Sequence, residues 1–244
     1  AGIGVINDFL NVSLSTISKS ILNERGGYYW KVNNANYHFS SSHEVSFIFD
    51  SATLICSNVK DSFFIKSTQG VYYPLTKKWV GNGGKVTWAR SKYPENEIFA
   101  NLQKYRINLN ENNYKADSVY FTNKDYFTKP TQGQLTDWLI KDYKPDNIPY
   151  PEFQSYDQWF LIKDLFKNID YEGGFTMRGS KLIGTGGRSK LATLIVKRND
   201  KEFLRAEGNI LIFQRQVINS EKARIRFKFD SDSLFHIGLN FNYS

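Results

Sequence analysis

The sequence predicts an all-β chain, mainly antiparallel, arranged as a sandwich, a jelly roll or solenoid-like layers, with a few short helices that include an amphipathic one at the start. Two observations carry this expectation. Apolar and aromatic residues recur in short runs of period two, and clusters of Ser, Asn, Asp and Gly separate the runs. Aromatic residues make up 16% of the chain and hydrophobic residues 41%, which suits a packed core and excludes a disordered segment.

The elements follow in order. GIGVINDFLNVSLSTISKSILNERGG sets Ile3, Ile6, Phe9 or Leu10, Leu14, Ile17 and Ile21 at helical spacing until Gly26 and Gly27 stop it, predicting an amphipathic helix over residues 1–27. Its polar face is Ser and Asn rather than Lys and Arg, so it is expected against a sheet and not on a bilayer. Strand text runs from Tyr28 to Trp88 in YYWKVNNANYHF, HEVSFIFDSATLICS, DSFFIKS, GVYYPL, KKWVGNG and GKVTWAR. In YPENEIFANLQKYRINL, Pro94 at the start, acids in the first turn, and Ile98, Leu102 and Tyr105 on one face predict a short helix or a connecting excursion. After a strand at Asp117–Phe121, QLTDWLIKDYK predicts another short helix.

Three prolines in KPDNIPYPEF mark a linker over residues 144–153. It divides a first β-rich half, 28–143, from a second, 154–244, unless the two form one continuous domain. In the second half, Asn199-Asp200 is a hairpin signal between two apolar runs. Asp-Ser followed by apolar residues recurs at Asp61, Asp117 and Asp232, and more loosely at Asp50, each read as an acidic turn entering a strand. The single Met177 lies deep in the chain, so the sequence reads as a processed or excised piece. No run of about 18 apolar residues exists to span a membrane as a helix.

The net charge of +8, 32 Lys and Arg against 24 Asp and Glu, favours an anionic partner such as an acidic glycan or a lipid head group. The charge is dispersed and none of the nucleic-acid motifs appears, which disfavours nucleic acid. In KARIRFKFD, Ile225, Phe227 and Phe229 alternate with Arg224, Arg226 and Lys228, as a strand with one solvated cationic face or a polyanion-binding stripe.

The glycine-rich YEGGFTMRGSKLIGTGGRSK, residues 171–190, resembles a phosphate cradle at first reading, but the spacing fails. The lysine that should follow Gly179 is displaced by Ser180, and Ser189 stands where a dinucleotide loop needs its third glycine. These glycines are expected to bend and end strands, and no cofactor is expected. His38, His43 and His236 have no Cys or carboxylate cluster at metal-ligand spacing, so no metal site is expected. Cys56 among apolar neighbours reads as a small buried hydrophobe with an inert thiol.

Carboxylate pairs for glycoside hydrolysis are Glu152 with Asp157, and Asp170 with Glu172. The most suggestive binding text is WVGNGGKVTWAR, where Trp79 and Trp88 flank Lys85 and Arg90, since exposed Trp rings stack on sugars or pair with cations. These four are the candidate ligand-binding residues, and no catalytic residue is assigned.

The segment DSFFIKSTQGVYYPLTKKWVGNGGKVTW, with its Y-x-P turn and G-x-G-G-x-V return, resembles the periodic strands of the lipopolysaccharide-transport (organic-solvent-tolerance) periplasmic proteins. Together with YEGGFTMRGSKLIGTGG and DSLFHIGLNFNY it resembles more closely a large conserved Bacteroidota protein, over most of the chain after Tyr28. The resemblance implies an exported β-rich protein of the periplasm, outer membrane or cell surface, of which these residues are a part. It carries over no functional residue. The expected function is a non-catalytic structural or binding module with anionic glycan, lipid or other envelope proteins as partners. The alternatives are a polysaccharide or lipid carrier and a glycan-active enzyme.

Overall fold

A computed structural model describes residues 15–41, 43–142, 144, 147–156, 159–187, 189–214, 217–220, 222–229, 232–238 and 241–243. Among them the chain is all-β, with strands β1 (Ser15–Arg25), β2 (Tyr28–Ser40), β3 (Ser46–Asn58), β4 (Ser62–Tyr73), β5 (Lys78–Asn82), β6 (Lys85–Thr87), β7 (Ile98–Asn101) and β8 (Lys104–Asn108). Then come β9 (Asn113–Asn123), β10 (Thr131–Trp138), β11 (Glu152–Ser155), β12 (Phe160–Phe166), β13 (Ile169–Arg178), β14 (Lys181–Thr185) and β15 (Ala192–Arg198). The last are β16 (Lys201–Gly208), β17 (Ile210–Gln214), β18 (Val217–Ser220), β19 (Ala223–Phe229), β20 (Asp232–Gly238) and β21 (Phe241–Tyr243).

All pairings are antiparallel and fall into three connected sections. An N-terminal section runs β1–β2–β3–β4–β5–β8. A central section runs β6–β7–β9–β10–β11–β13–β14–β17–β18–β21. A C-terminal section runs β12–β13–β15–β16–β19–β20. The inner face of the central section meets those of the other two in one core. Phe63 of β4 packs on Tyr114 of β9 at 5.6 Å between ring centroids, and Tyr171 of β13 packs on Phe213 of β17 at 5.2 Å.

Period-two burial explains the strands. Along β9, Tyr114, Ala116, Val119, Phe121 and Asn123 are buried, and the phase slips once at Asp117-Ser118. The glycines carry the chain between sections. Gly83 and Gly84, at φ +69° and +128°, join β5 to β6, backbone that a side chain would strain. β13 passes from the C-terminal to the central section at Gly173-Gly174 and turns into β14 at Gly179. Residues 171–187 therefore form a bent strand and a hairpin, and not a phosphate cradle.

Several sequence expectations are corrected. The N-terminal helix is absent where described, because Ser15–Arg25 is β1, paired along β2; residues 1–14 lie outside the described residues. The helix after Pro94 shrinks to one turn, in which Glu97 and Ile98 donate to the Pro94 carbonyl, before β7 begins. Ile98 and Ala100 are buried while Phe99 and Asn101 face outward, so period two overrides the helical reading. The helix expected in QLTDWLIKDYK is the end of β10, where Leu135 and Asp137 are buried on one face. Asn199 and Asp200 make the β15–β16 turn with both φ positive, as expected of a hairpin. Asp-Ser is not one repeated turn, since Asp50 and Asp117 sit inside β3 and β9 at register shifts. Residues 147–153 lead into β11, whose strand partners lie on both sides, and Phe153 is fully buried.

Candidate functional site

The four residues predicted to bind are dispersed by the fold. Trp79 and Trp88 are fully enclosed, so neither ring face is available to a sugar. The Lys85 ammonium lies 4.3 Å over the Phe99 ring on the outer side of the central section. Arg90 is consumed internally: it donates to Asp61 at 2.8 Å, to the Trp138 carbonyl at 3.1 Å and to Asp137. Asp61 also accepts from the Ile140 amide at 2.9 Å, and the Trp138 amide donates to Asp137 at 2.9 Å. This node ties the start of β4 to the end of β10. Burial works against the Arg90 charge, but the two carboxylates outweigh it and raise its pKa. Burial pushes Asp137 up to about 6 although Arg90 pulls it down.

The carboxylate pairs are tied to cations. Glu152 accepts from Arg178 at 2.5 Å, and Asp157 lies outside the described residues. At Asp170 burial opposes the charge, but Lys197 at 2.7 Å and the Asp164 amide hold its pKa below the ordinary value. Lys190 and the Trp159 indole, which donates at 2.8 Å, hold Glu172 down as well. A glycosidase acid needs a raised pKa. Asp170 and Glu172 are shifted the opposite way, and Asp137, shifted up, is locked under Arg90.

A groove of about 750 Å³ crosses the outer side of the N-terminal section, within the size range of ligand sites. Half-buried Ile48, Val71 and Val80 form its apolar part. Lys104 and Arg106 enter from alternate positions of β8, whose other face buries Tyr105 and Ile107, and Lys115 enters from β9. Asp50 and Asp117 complete the charged rim. Among the described residues no ion pair engages these three cations. A second hollow of about 490 Å³ shares Val80 and Arg106 and adds Lys78. The signal was present in K-Y-R-I-N, whose alternation places both cations on one face once it is read with period two.

No family model, curated protein or solved structure matches this chain. Among the described residues no group of three or more His, Cys, Asp or Glu is arranged to hold a metal, and no helix is long and apolar enough to cross a membrane.

Proposed function

We propose that the chain is a non-catalytic β-rich module of an exported bacterial envelope or surface protein, and that it binds an anionic polysaccharide. The observation that carries this reading is the groove in which Lys104, Arg106 and Lys115, engaged by no ion pair among the described residues, stand above an apolar strip. An extended polymer of sugar rings and carboxylates matches both parts of it: the strip takes apolar ring faces and the cations take the charge. The lowered pKa values of Asp170 and Glu172 favour a binding role over glycosidic cleavage. The packed aromatic core favours surface binding over a carrier that encloses its cargo. The resemblance of its strand cadence to envelope β-repeats, read from the sequence, supports the location.

Titration calorimetry with polygalacturonate at low salt tests the proposal. Binding is expected, weakening as salt rises. Replacing Lys104, Arg106 and Lys115 by Ser should abolish it, whereas replacing exposed Lys124, Lys129 and Lys167, an equal change in net charge, should not. Equal losses from the two triple variants, or no binding at all, would overturn the site. Release of oligosaccharides from the polymer would overturn the non-catalytic reading. Binding to vesicles containing phosphatidylglycerol with none to polygalacturonate would assign the cations to lipid instead.

A further inference from the structure

A second surface, on the outer side of the central section, carries different chemistry. At Asp117-Ser118 the β9–β10 register slips, so that Val119 pairs with Gly133 and Ala116 with Leu135. Ser118 adopts φ +56°, an uncommon conformation for a residue with a side chain, of the kind that gathers at functional sites. Its amide donates at 2.7 Å to the Tyr156 hydroxyl oxygen.

That bond fixes the direction of the Tyr156 side chain. The Tyr156 backbone amide donates to the Gln132 carbonyl on β10, while its hydroxyl reaches β9, the strand on the far side of β10. Neighbouring strands lie about 4.8 Å apart, so the side chain must run along the sheet and over β10 rather than stand away from it. The side chain thus lies across the sheet surface, and Tyr156 is 38% exposed. Beside it Tyr120, 37% exposed, accepts a hydrogen bond at 2.7 Å from the Gln132 side chain. Both phenol oxygens are acceptors in these bonds, and among the described residues neither O–H donates to a partner.

The surroundings are amide rather than ionic. Tyr120 faces Asn101 across β7 and Gln132 across β10, and exposed Gln154 lies on β11. Lys85, opposite Asn101, turns its ammonium over Phe99, and Asp117 stands at the border. A flat aromatic surface with unspent phenol protons and side-chain amides matches the apolar face and rim hydroxyls of an uncharged pyranose.

We propose that Tyr156 and Tyr120 form a binding platform for a neutral polysaccharide, separate from the cationic groove. The test uses soluble mixed-linkage β-glucan, galactomannan and arabinoxylan, titrated into the full chain in about 0.5 M salt, where the Debye length is about 4 Å and the groove is screened. At least one glycan is expected to bind. Tyr156→Ala and Tyr120→Ala should each weaken it about three- to tenfold, the worth of one aromatic stacking contact. Tyr156→Phe, which keeps the ring but loses the Ser118 bond and the phenol O–H, should weaken it less. The groove triple variant should bind as the parent does, so the two sites fail independently. If Tyr156→Ala unfolds the chain, Tyr120→Ala alone decides. No binding to any of the three glycans, or tyrosine variants of unchanged circular dichroism binding as tightly as the parent, would overturn the platform.

Discussion

Arg90 donates to Asp137 inside the protein, with the Arg90 side chain 11% exposed and the carboxylate 2% exposed. The same guanidinium holds Asp61, also 2% exposed, so two buried acids share one cation. Removing the cation strands both. Arg90→Met, which preserves much of the side-chain volume, is expected to destabilise the fold by about 3–5 kcal/mol, the usual cost of leaving a buried charge unpaired. Urea unfolding followed by tryptophan fluorescence measures it, and a loss below about 1 kcal/mol would contradict the pairing.

The same pair sets a pH dependence of unusual sign. Asp137 titrates at about 6 in the fold against an ordinary 3.8. Between these values the folded chain holds a proton that the unfolded chain has released. This contribution to stability is complete below pH 3.8 and is lost as pH rises through 6. Relative to Asp137→Asn, the protein is expected to lose about 2–3 kcal/mol between pH 4 and pH 7, as two pKa units imply. Paired urea titrations across that range test this; a difference independent of pH would place the proton elsewhere.

The fold class was readable because alternation and turn chemistry are local. Asn199-Asp200 supplies two adjacent positive φ angles, and the structure puts the β15–β16 turn there. In the segment after Pro94 the helical expectation arises because three apolar positions in a short window also fit the helical period. Ile98, Leu102 and Tyr105 fall on one helical face, and Leu102 sits at the step between two strands that bury Ala100 and Tyr105. The binding surfaces were less legible. Arg90 looks like a free cation beside a Trp until Asp61 and Asp137 arrive from sequence-distant strands. Nothing local announces that Ser118 will meet Tyr156, 38 residues away.

Glu202 gathers cations on the C-terminal section. Arg205 donates to both its oxygens at 3.1 and 2.7 Å, and Arg226 and Lys228 approach to 3.2 and 3.4 Å. The Arg205 bonds, more than any other cause, hold its pKa at about 2. Here the sign is the ordinary one: the stabilisation is present above pH 4.5 and is lost as pH falls toward 2. Glu202→Gln should cost about 1 kcal/mol at pH 7 after solvent screening, and the difference should vanish near pH 2. Persistence of the full difference at pH 2 would mean that the lost contact was packing and not charge. The cluster also gives Arg226 and Lys228 of the basic strand a partner within the chain.

Gly184 makes room for Tyr171. A Cβ added at Gly184 would lie 2.5 Å from the Tyr171 ring, whereas one at Gly187 meets nothing closer than 3.6 Å. Tyr171 is fully buried and its hydroxyl donates to the Gly174 carbonyl, so the ring has no free direction in which to retreat. Gly184→Ala is expected to cost about 1–3 kcal/mol by overpacking, and Gly187→Ala close to nothing. Thermal melts of the two variants separate packing from a phosphate-binding role for this segment. Equal melting points would remove the packing argument.

Cys56 reports on how the whole core opens. It sits in β3 between Trp30 of β2 and Phe63 of β4 and is fully buried. Burial pushes its thiol far above the ordinary range, and Asp137 and Asp61 add to the rise. Reaction with a thiol reagent therefore requires opening the β2–β3–β4 ladder, which includes the longest pairing among the described residues, β2–β3. In native buffer Cys56 should label only through that opening, at a rate that climbs with urea. If the opening is the cooperative one, Arg90→Met should speed labelling by about two to four powers of ten, the factor that its loss of about 3–5 kcal/mol implies. Rapid labelling insensitive to both urea and Arg90→Met would show instead that the β2–β4 ladder opens locally, independently of the Arg90 node.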